Sequence, residues 1–156
     1  MMARDFVNVY VGLGANLGNA RQSLESSILA IQQLPETLLV GCSSFYQSAP
    51  FQADGPDYFN AVVHLQTRLN ACDLLHAFQR IEQLAGRKRP YPNAPRTLDI
   101  DLLLFGDGHI QSPALVVPHP RMRERAFVLL PLSELAPGLV TTDELRKVQS
   151  QVVKRL

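Results

Sequence analysis

Asp99 and Asp101 stand two residues apart in the stretch 98–105. In an extended chain alternate side chains leave the same face, so both carboxylates project together, ~7 Å apart along the strand. Leu98, Ile100, Leu102 and Leu104 then fill the other face and mark a core strand. Paired carboxylates on a core strand are costly unless a cation compensates them. An ion pair with Arg96 at the strand start would serve. So would a hard divalent ion such as Mg²⁺, which takes one or two carboxylates and completes its shell with substrate phosphates.

Groups suited to phosphate are nearby in sequence. Residues 87–125 are a quarter of the chain, yet they hold Arg87, Lys88, Arg89, Arg96, Arg121, Arg123 and Arg125, seven of the 15 Lys and Arg, against four acids. Six of the seven are arginine, the better fork for phosphate oxygens. Lys88 and Arg123 read equally well as solvated loop charges, and cations just after a helix also suit its negative end. Among the histidines, His64, His76 and His109 fall in ordinary strand, helix and turn settings. His119 differs, because Pro118 and Pro120 fix its backbone from both sides and hold the ring near the arginines. Tyr58 and Asn60 share one strand face, an aromatic plate beside an amide that can stack on a flat ring and read its edge. Cross-strand packing explains that pair equally. Glu82 flanks a helical apolar stripe, where an ion pair is the plain reading.

Several chemistries are excluded. Gly12, Gly14 and Gly18 space as G-x-G-x-x-x-G, one residue away from the dinucleotide fingerprint, and read as turn glycines. The phosphate-cradling G-x-x-x-x-G-K-[ST] loop is absent, as are H-E-x-x-H and G-x-S-x-G. With 46% hydrophobic residues the chain is no disordered tail, and a net charge of +1 argues against a nucleic-acid coat or a polybasic membrane anchor. No apolar run approaches the ~20 residues of a membrane span. Residues 1–10 lack a signal-peptide core, and Cys42 and Cys72 have no metal or redox spacing. The expectation is a cytoplasmic chain of one domain over 1–156, monomer or weak dimer, with no nucleic-acid or membrane partner.

The elements that must position these residues follow from periodicity. A strand from Phe6 to Val11 ends at Gly12 and Gly14. Asn19, with Gln22 three residues on, caps a helix bearing Leu24, Ile28 and Ile31 that Leu34-Pro35 stops. A second strand covers 38–46, and a turn-rich loop with Asp54-Gly55 covers 48–56. A third strand, 58–69, points Phe59, Ala61, Val63 and Leu65 one way and Tyr58, Asn60, Val62 and His64 the other. Asn70 and Asp73 open a helix with the stripe Leu74, Phe78, Ile81 and Ala85, closed by Gly86. A proline- and arginine-rich loop leads to the fourth strand, 98–105, and Asp107-Gly108 predicts a hairpin turn. The order β-α-β-β-α-β predicts a ferredoxin-like α/β (α+β) sandwich. Extra C-terminal helices follow: 122–135, broken by Pro131, and a last one capped by Thr141 and Glu144 and carrying Leu145, Val148 and Val152.

Taken in order, these pieces resemble the 6-hydroxymethyl-7,8-dihydropterin pyrophosphokinase family of folate biosynthesis. The series is Gly14-Ala15-Asn16-Leu17, Ser44-Phe45-Tyr46, Pro56-Asp57-Tyr58-Phe59-Asn60-Ala61, Gln79-Arg80-Ile81-Glu82, Gly86-Arg87, Pro95-Arg96-Thr97-Leu98-Asp99-Ile100-Asp101, Val117-Pro118-His119 and Arg125-Ala126-Phe127. It spans roughly residues 6 to 140. The resemblance implies transfer of pyrophosphate from ATP to the pterin's hydroxymethyl oxygen, releasing AMP. It implies two Mg²⁺ ions on Asp99 and Asp101, with Arg87 and Arg96 also in the catalytic group. Tyr58 and Phe127 would sandwich the pterin, with Asn60 and groups near Ser48 and Phe51 reading its edge. Asn16 and Glu82 would shape the site between the ligands. ATP would fall to Gln79, Glu82, Arg87, Arg89, Arg96, His119 and Arg125.

One segment departs from the family's pattern: where Arg-Trp-Gly is common, this chain reads Pro92-Asn93-Ala94, with Tyr91 and Arg89 the nearest aromatic and cation. That departure admits a relative that binds its ligands with weakened turnover, since loop closure can set the rate. A ferredoxin-like binding module for RNA would keep the fold and the basic loop. It has no use for two carboxylates among the arginines, and the aromatic run of RNA readers is missing.

Overall fold

A computed structural model describes residues 4–50, 55–86 and 98–156. Its order is β1 (Val7–Ala15), α1 (Ala20–Gln32), β2 (Thr37–Cys42), β3 (Tyr46–Ser48), β4 (Tyr58–Thr67), α2 (Ala71–Leu84), β5 (Asp99–Phe105), β6 (Ile110–Gln111), β7 (Val116–Val117), α3 (Ala126–Leu135), α4 (Thr142–Lys147) and β8 (Val153–Arg155). Among the described residues the main sheet runs β5-β1-β4-β3-β8, and β2 pairs with β4 beside β3. Every pairing in it is antiparallel. The seven elements from β1 to β5 form the expected ferredoxin-like arrangement; the strand expected over 38–46 ends at Cys42, and Tyr46 opens the separate β3.

Helices α1 and α2 cover one face of the sheet. Their caps are those the sequence predicts, with Asn19 Oδ1 accepting from Gln22 N–H and Asn70 Oδ1 from Asp73 N–H. Leu24, Ile31, Leu74 and Phe78 meet Val9, Val11, Leu13, Ala61, Val63, Leu65, Ile100 and Leu102 in one continuous apolar core. Gly86, at φ +83°, ends the second helical segment in a conformation that glycine adopts without strain.

The opposite face is covered over part of its area by α3. There Val62 and Leu103 pack with Met122, Ala126, Val128, Leu129 and Leu132. Pro131 lies inside α3 and does not break it. The interruption falls earlier, at Arg125, whose extended backbone (φ −119°, ψ 114°) separates a 3₁₀ turn at Met122–Glu124 from α3.

Four other expectations are corrected. β1 continues through Gly12 and Gly14 to Ala15, so these glycines lie in a strand. Asp107-Gly108 closes a turn, with Gly108 N–H donating to Phe105 O at 3.0 Å, but no hairpin follows from it. Instead β6 pairs with β7. The capping box of Thr141 and Glu144 is present, yet α4 ends at Lys147 and the chain returns as β8 beside β3. Leu104 packs with the α3 face rather than with Ile100 and Leu102. The pairing of β1 with β5 shifts between Tyr10 and Val11; an extra residue in one strand reverses the side on which everything beyond it lies.

Candidate active site

β5, β1 and β4 lie side by side, and their register builds the site. Gly14 pairs with Asp99 on one side and with Asn60 on the other. Since Leu98, Ile100 and Leu102 are committed to the helix-covered core, alternation turns Asp99 and Asp101 to the opposite face. Asn60 and Val62 share that face, and Val62 packs under α3. The carboxylates of β5 and the amide of β4 are thus two strand spacings apart, ~10 Å, on one surface. Asp99, Asp101 and Tyr58 are half-buried, and Asn60 is 3% exposed.

Among the described residues β5 is an edge strand, and two of its backbone groups have partners other than β1. The Ile100 N–H donates to Glu82 Oε2 at 2.7 Å, and the Leu103 carbonyl accepts from His119 N–H at 2.9 Å. Glu82, 3% exposed on α2, therefore steadies the strand from below, between the two aspartates in sequence. This role had a weak sequence signal: a carboxylate beside an apolar stripe reads as an ion pair.

His119 sits next to this strand. Its Nδ1 accepts from Arg121 N–H at 3.2 Å, which leaves Nε2 carrying the proton of the neutral ring. Burial holds its pKa below the ordinary imidazole value. Nearby Arg125 and Arg121 act in the same direction, and Asp99 opposes them. The sequence-predicted trio of Asp99, His119 and Arg125 is therefore one electrostatic neighbourhood. Arg125 also lies over the Phe127 ring, 5.5 Å from its centre.

On the far side of the site, Asn60 Nδ2 donates to Ser48 Oγ at 2.7 Å. β3, which carries Ser48, is held by a residue that sequence reasoning missed. Glu134 of α3 accepts from Ser44 N–H at 2.9 Å, Ser44 Oγ at 3.1 Å and Tyr46 Oη at 2.8 Å. Burial and this bond push the Tyr46 hydroxyl up to about 12. Nothing in the spacing of Tyr46 and Glu134, 88 residues apart, announces the contact.

Other predicted residues flank this face or lie beyond it. Asn16, 2% exposed, donates from Nδ2 to Pro56 O at 3.1 Å. It borders a cleft of about 690 Å³ that Arg21, Asp57 and Phe59 also line. Gln79 is exposed on α2. Phe51, Arg87, Arg89 and Arg96 lie outside the described residues, as does the segment Pro92-Asn93-Ala94.

A family model described as 7,8-dihydro-6-hydroxymethylpterin-pyrophosphokinase matches residues 10–137, a span that contains every described residue of this site. The chain belongs to that pyrophosphokinase family. Its relatives include the 2-amino-4-hydroxy-6-hydroxymethyldihydropteridine pyrophosphokinase of Pseudomonas aeruginosa, 48% identical over 136 residues, which are 86% of this chain and 84% of that one. The enzyme of the same name from Haemophilus influenzae is 41% identical over 150 residues, 96% of this chain and 92% of its own. Among solved structures, a triple mutant of Plasmodium falciparum HPPK-DHPS superposes with a TM-score of 0.69 at 15% identity, covering 88% of this chain. This chain spans only 41% of that longer one, and the likeness carries the fold. As a member of the pyrophosphokinase family the chain is an enzyme, a diphosphotransferase with a role in folate synthesis. No described helix is long and apolar enough to cross a membrane.

Proposed function

We propose that the chain transfers the pyrophosphoryl group of ATP to the hydroxymethyl oxygen of 6-hydroxymethyl-7,8-dihydropterin. The acceptor oxygen bonds to the β-phosphorus, the bond from that phosphorus to the oxygen bridging it to the α-phosphate breaks, the hydroxyl proton is lost, and AMP departs. The observation that carries this reading is the shared sheet face, with two carboxylates on β5 and an aromatic-amide pair on β4 about 10 Å away across Gly14. That span suits a flat acceptor at one end and a polyphosphate at the other.

Asp99 and Asp101 fit magnesium. They are half-exposed on one strand face, and carboxylate oxygens are the hard donors this ion takes. Two carboxylates leave most of the six positions around Mg²⁺ to phosphate oxygens and water, the shell that ion prefers. The two carboxylates would hold two ions, and the chemistry those ions supply when bound is charge neutralisation along the triphosphate and a more acidic acceptor hydroxyl.

The chain's own groups then position and neutralise. His119 offers an Nε2–H to a phosphate oxygen, and Arg125 beside it supplies fixed positive charge; Gln79, Glu82, Arg87, Arg89 and Arg96 complete the ATP side. Tyr58 and Phe127 stack on the pterin, Asn60 reads its edge with Ser48 and Phe51, and Asn16 closes the space between ligands. Catalysis of this kind is positioning plus electrostatics, so no covalent nucleophile is required. The test is nucleotide analysis after mixing protein, Mg²⁺-ATP and the reduced pterin. AMP in step with pterin diphosphate is expected. ADP as the product overturns the reading, and binding of both ligands without turnover assigns a binding role in its place.

A further inference from the structure

Gly14 is a glycine that the backbone does not require. Its φ is not among the positive values that favour glycine, and it lies within a paired strand, where a glycine weakens the ladder. Its presence therefore asks for an explanation in space. A Cβ built at this position would lie 3.3 Å from Asn60 Oδ1 and 3.8 Å from Tyr58 Cδ1. The first distance is too tight unless the amide moves. Asn60 has little freedom to move, being 3% exposed and bonded through Nδ2 to Ser48 Oγ at 2.7 Å. Gly12 provides the contrast. On the same strand and the same face, its added Cβ would meet Leu103 Cδ2 at 3.5 Å, an ordinary contact with the end of a flexible side chain. The sheet surface needs to stay bare at position 14 and not at position 12.

We infer that Gly14 is a specificity-determining position of the acceptor site. Resting on the pyrophosphokinase reading above, its bare backbone is the floor over which a one-carbon hydroxylated arm passes from the ring held at Asn60 toward the phosphates held near Asp99. A methyl group at this point displaces the Asn60 amide by a few tenths of an ångström and narrows the passage. Misplacement on that scale is enough to cost affinity and alignment at a reacting centre. The donor side is untouched, so the effect is confined to the acceptor.

The experiment compares wild type, Gly14→Ala and Gly12→Ala, varying pterin at saturating Mg²⁺-ATP and then the reverse, with melting temperatures alongside. Gly14→Ala is expected to raise the pterin KM roughly tenfold while the ATP KM stays within about twofold. Gly12→Ala is expected to keep both within about twofold. An unchanged pterin KM in Gly14→Ala overturns the proposal, as does an equal rise in both KM values or an equal effect of Gly12→Ala. Should Gly14→Ala fail to fold, the double variant Gly14→Ala/Asn60→Ala, which deletes the colliding amide, must fold and bind pterin as Asn60→Ala does. A double variant that stays unfolded overturns the proposal too. A wild type that forms no AMP counts against the pyrophosphokinase reading alone. The role of Gly14 is then judged by pterin binding without ATP, with the same tenfold ratio between Gly14→Ala and wild type expected.

Discussion

The two faces of one sheet have been put to opposite uses. Under α1 and α2, β1, β4 and β5 present Val9, Val11, Leu13, Ala61, Val63, Leu65, Ile100 and Leu102, all buried in a single apolar core. On the other face the same strands present Asp99, Asp101, Gly14 and Asn60, and α3 covers only the part that carries Val62 and Leu103. Strand alternation makes this economical, because each residue that stiffens the covered face holds its neighbours in place on the open one. A site built on paired strands with a packed underside keeps its geometry better than one built on loops. Rigidity and chemistry are adjacent in sequence here, separated by one peptide.

Substitutions on the two faces should therefore separate activity from stability. The largest effect is expected from Asp101→Asn or Asp99→Asn, which keeps the side-chain shape and removes the charge proposed to hold the cation. Mg²⁺-dependent AMP formation should fall by about 10³ or more while the melting temperature changes little, since both side chains are half-exposed. Retained activity in either variant sinks the metal assignment. The mirror experiment is Phe78→Ala, at a ring with no solvent exposure on the covered side. It should cost about 3–5 kcal/mol and lower the melting temperature by roughly 10 °C. The rate per folded molecule should be unchanged at low temperature, and a comparable loss of kcat would show that the faces are not separable.

What the sequence makes legible also divides by face. The covered side was legible because its residues repeat locally, with Leu74 and Phe78 at helical spacing and Ala61, Val63 and Leu65 at strand spacing. The aspartate pair was legible for the same reason, as a break in the polarity of a core strand. What could not be read depends on pairing register, which no local pattern contains. Gly14 looks like a turn residue until β4 and β5 are laid on either side of it. The bulge that turns Leu104 over is likewise a property of two strands together. β8 is hidden in the sequence because Val148 and Val152 fit a helical stripe, whereas Val153–Arg155 gains its ladder from β3.

Glu82 sits on α2 beneath the covered face, yet its bond reaches the edge of β5. It is buried on α2, but its acceptor role is to hold Ile100 N–H between the two aspartates. Glu82→Ala leaves that N–H without its partner at the strand edge, which should destabilise the fold by about 2 kcal/mol and lower kcat as well. Glu82→Gln retains an acceptor for the same N–H and should recover most of the lost stability. If Glu82→Ala loses only stability, the edge of β5 does not transmit to the open face.

The smallest effect is expected at the opposite border of the site, where Glu134 ties α3 to β3. Partial burial raises its pKa, but the bonds from Ser44 N–H and from the Tyr46 and Ser44 hydroxyls, with Arg155 nearby, together outweigh that and hold it below the ordinary carboxylate value. A group depressed in the folded state contributes stability that is complete above its unfolded value and is lost as the pH falls through the folded one. Glu134→Gln should therefore cost about 1 kcal/mol at pH 7. The gap in melting temperature from wild type should close below about pH 4. Salt should matter little, because Arg155 is 4.0 Å away and 64% exposed, so hydrogen bonds rather than the ion pair carry the interaction. A gap that persists unchanged to pH 3 would mean that the carboxylate's charge is not what fixes β3, and that pairing with β4 and β8 alone holds Ser48 against Asn60.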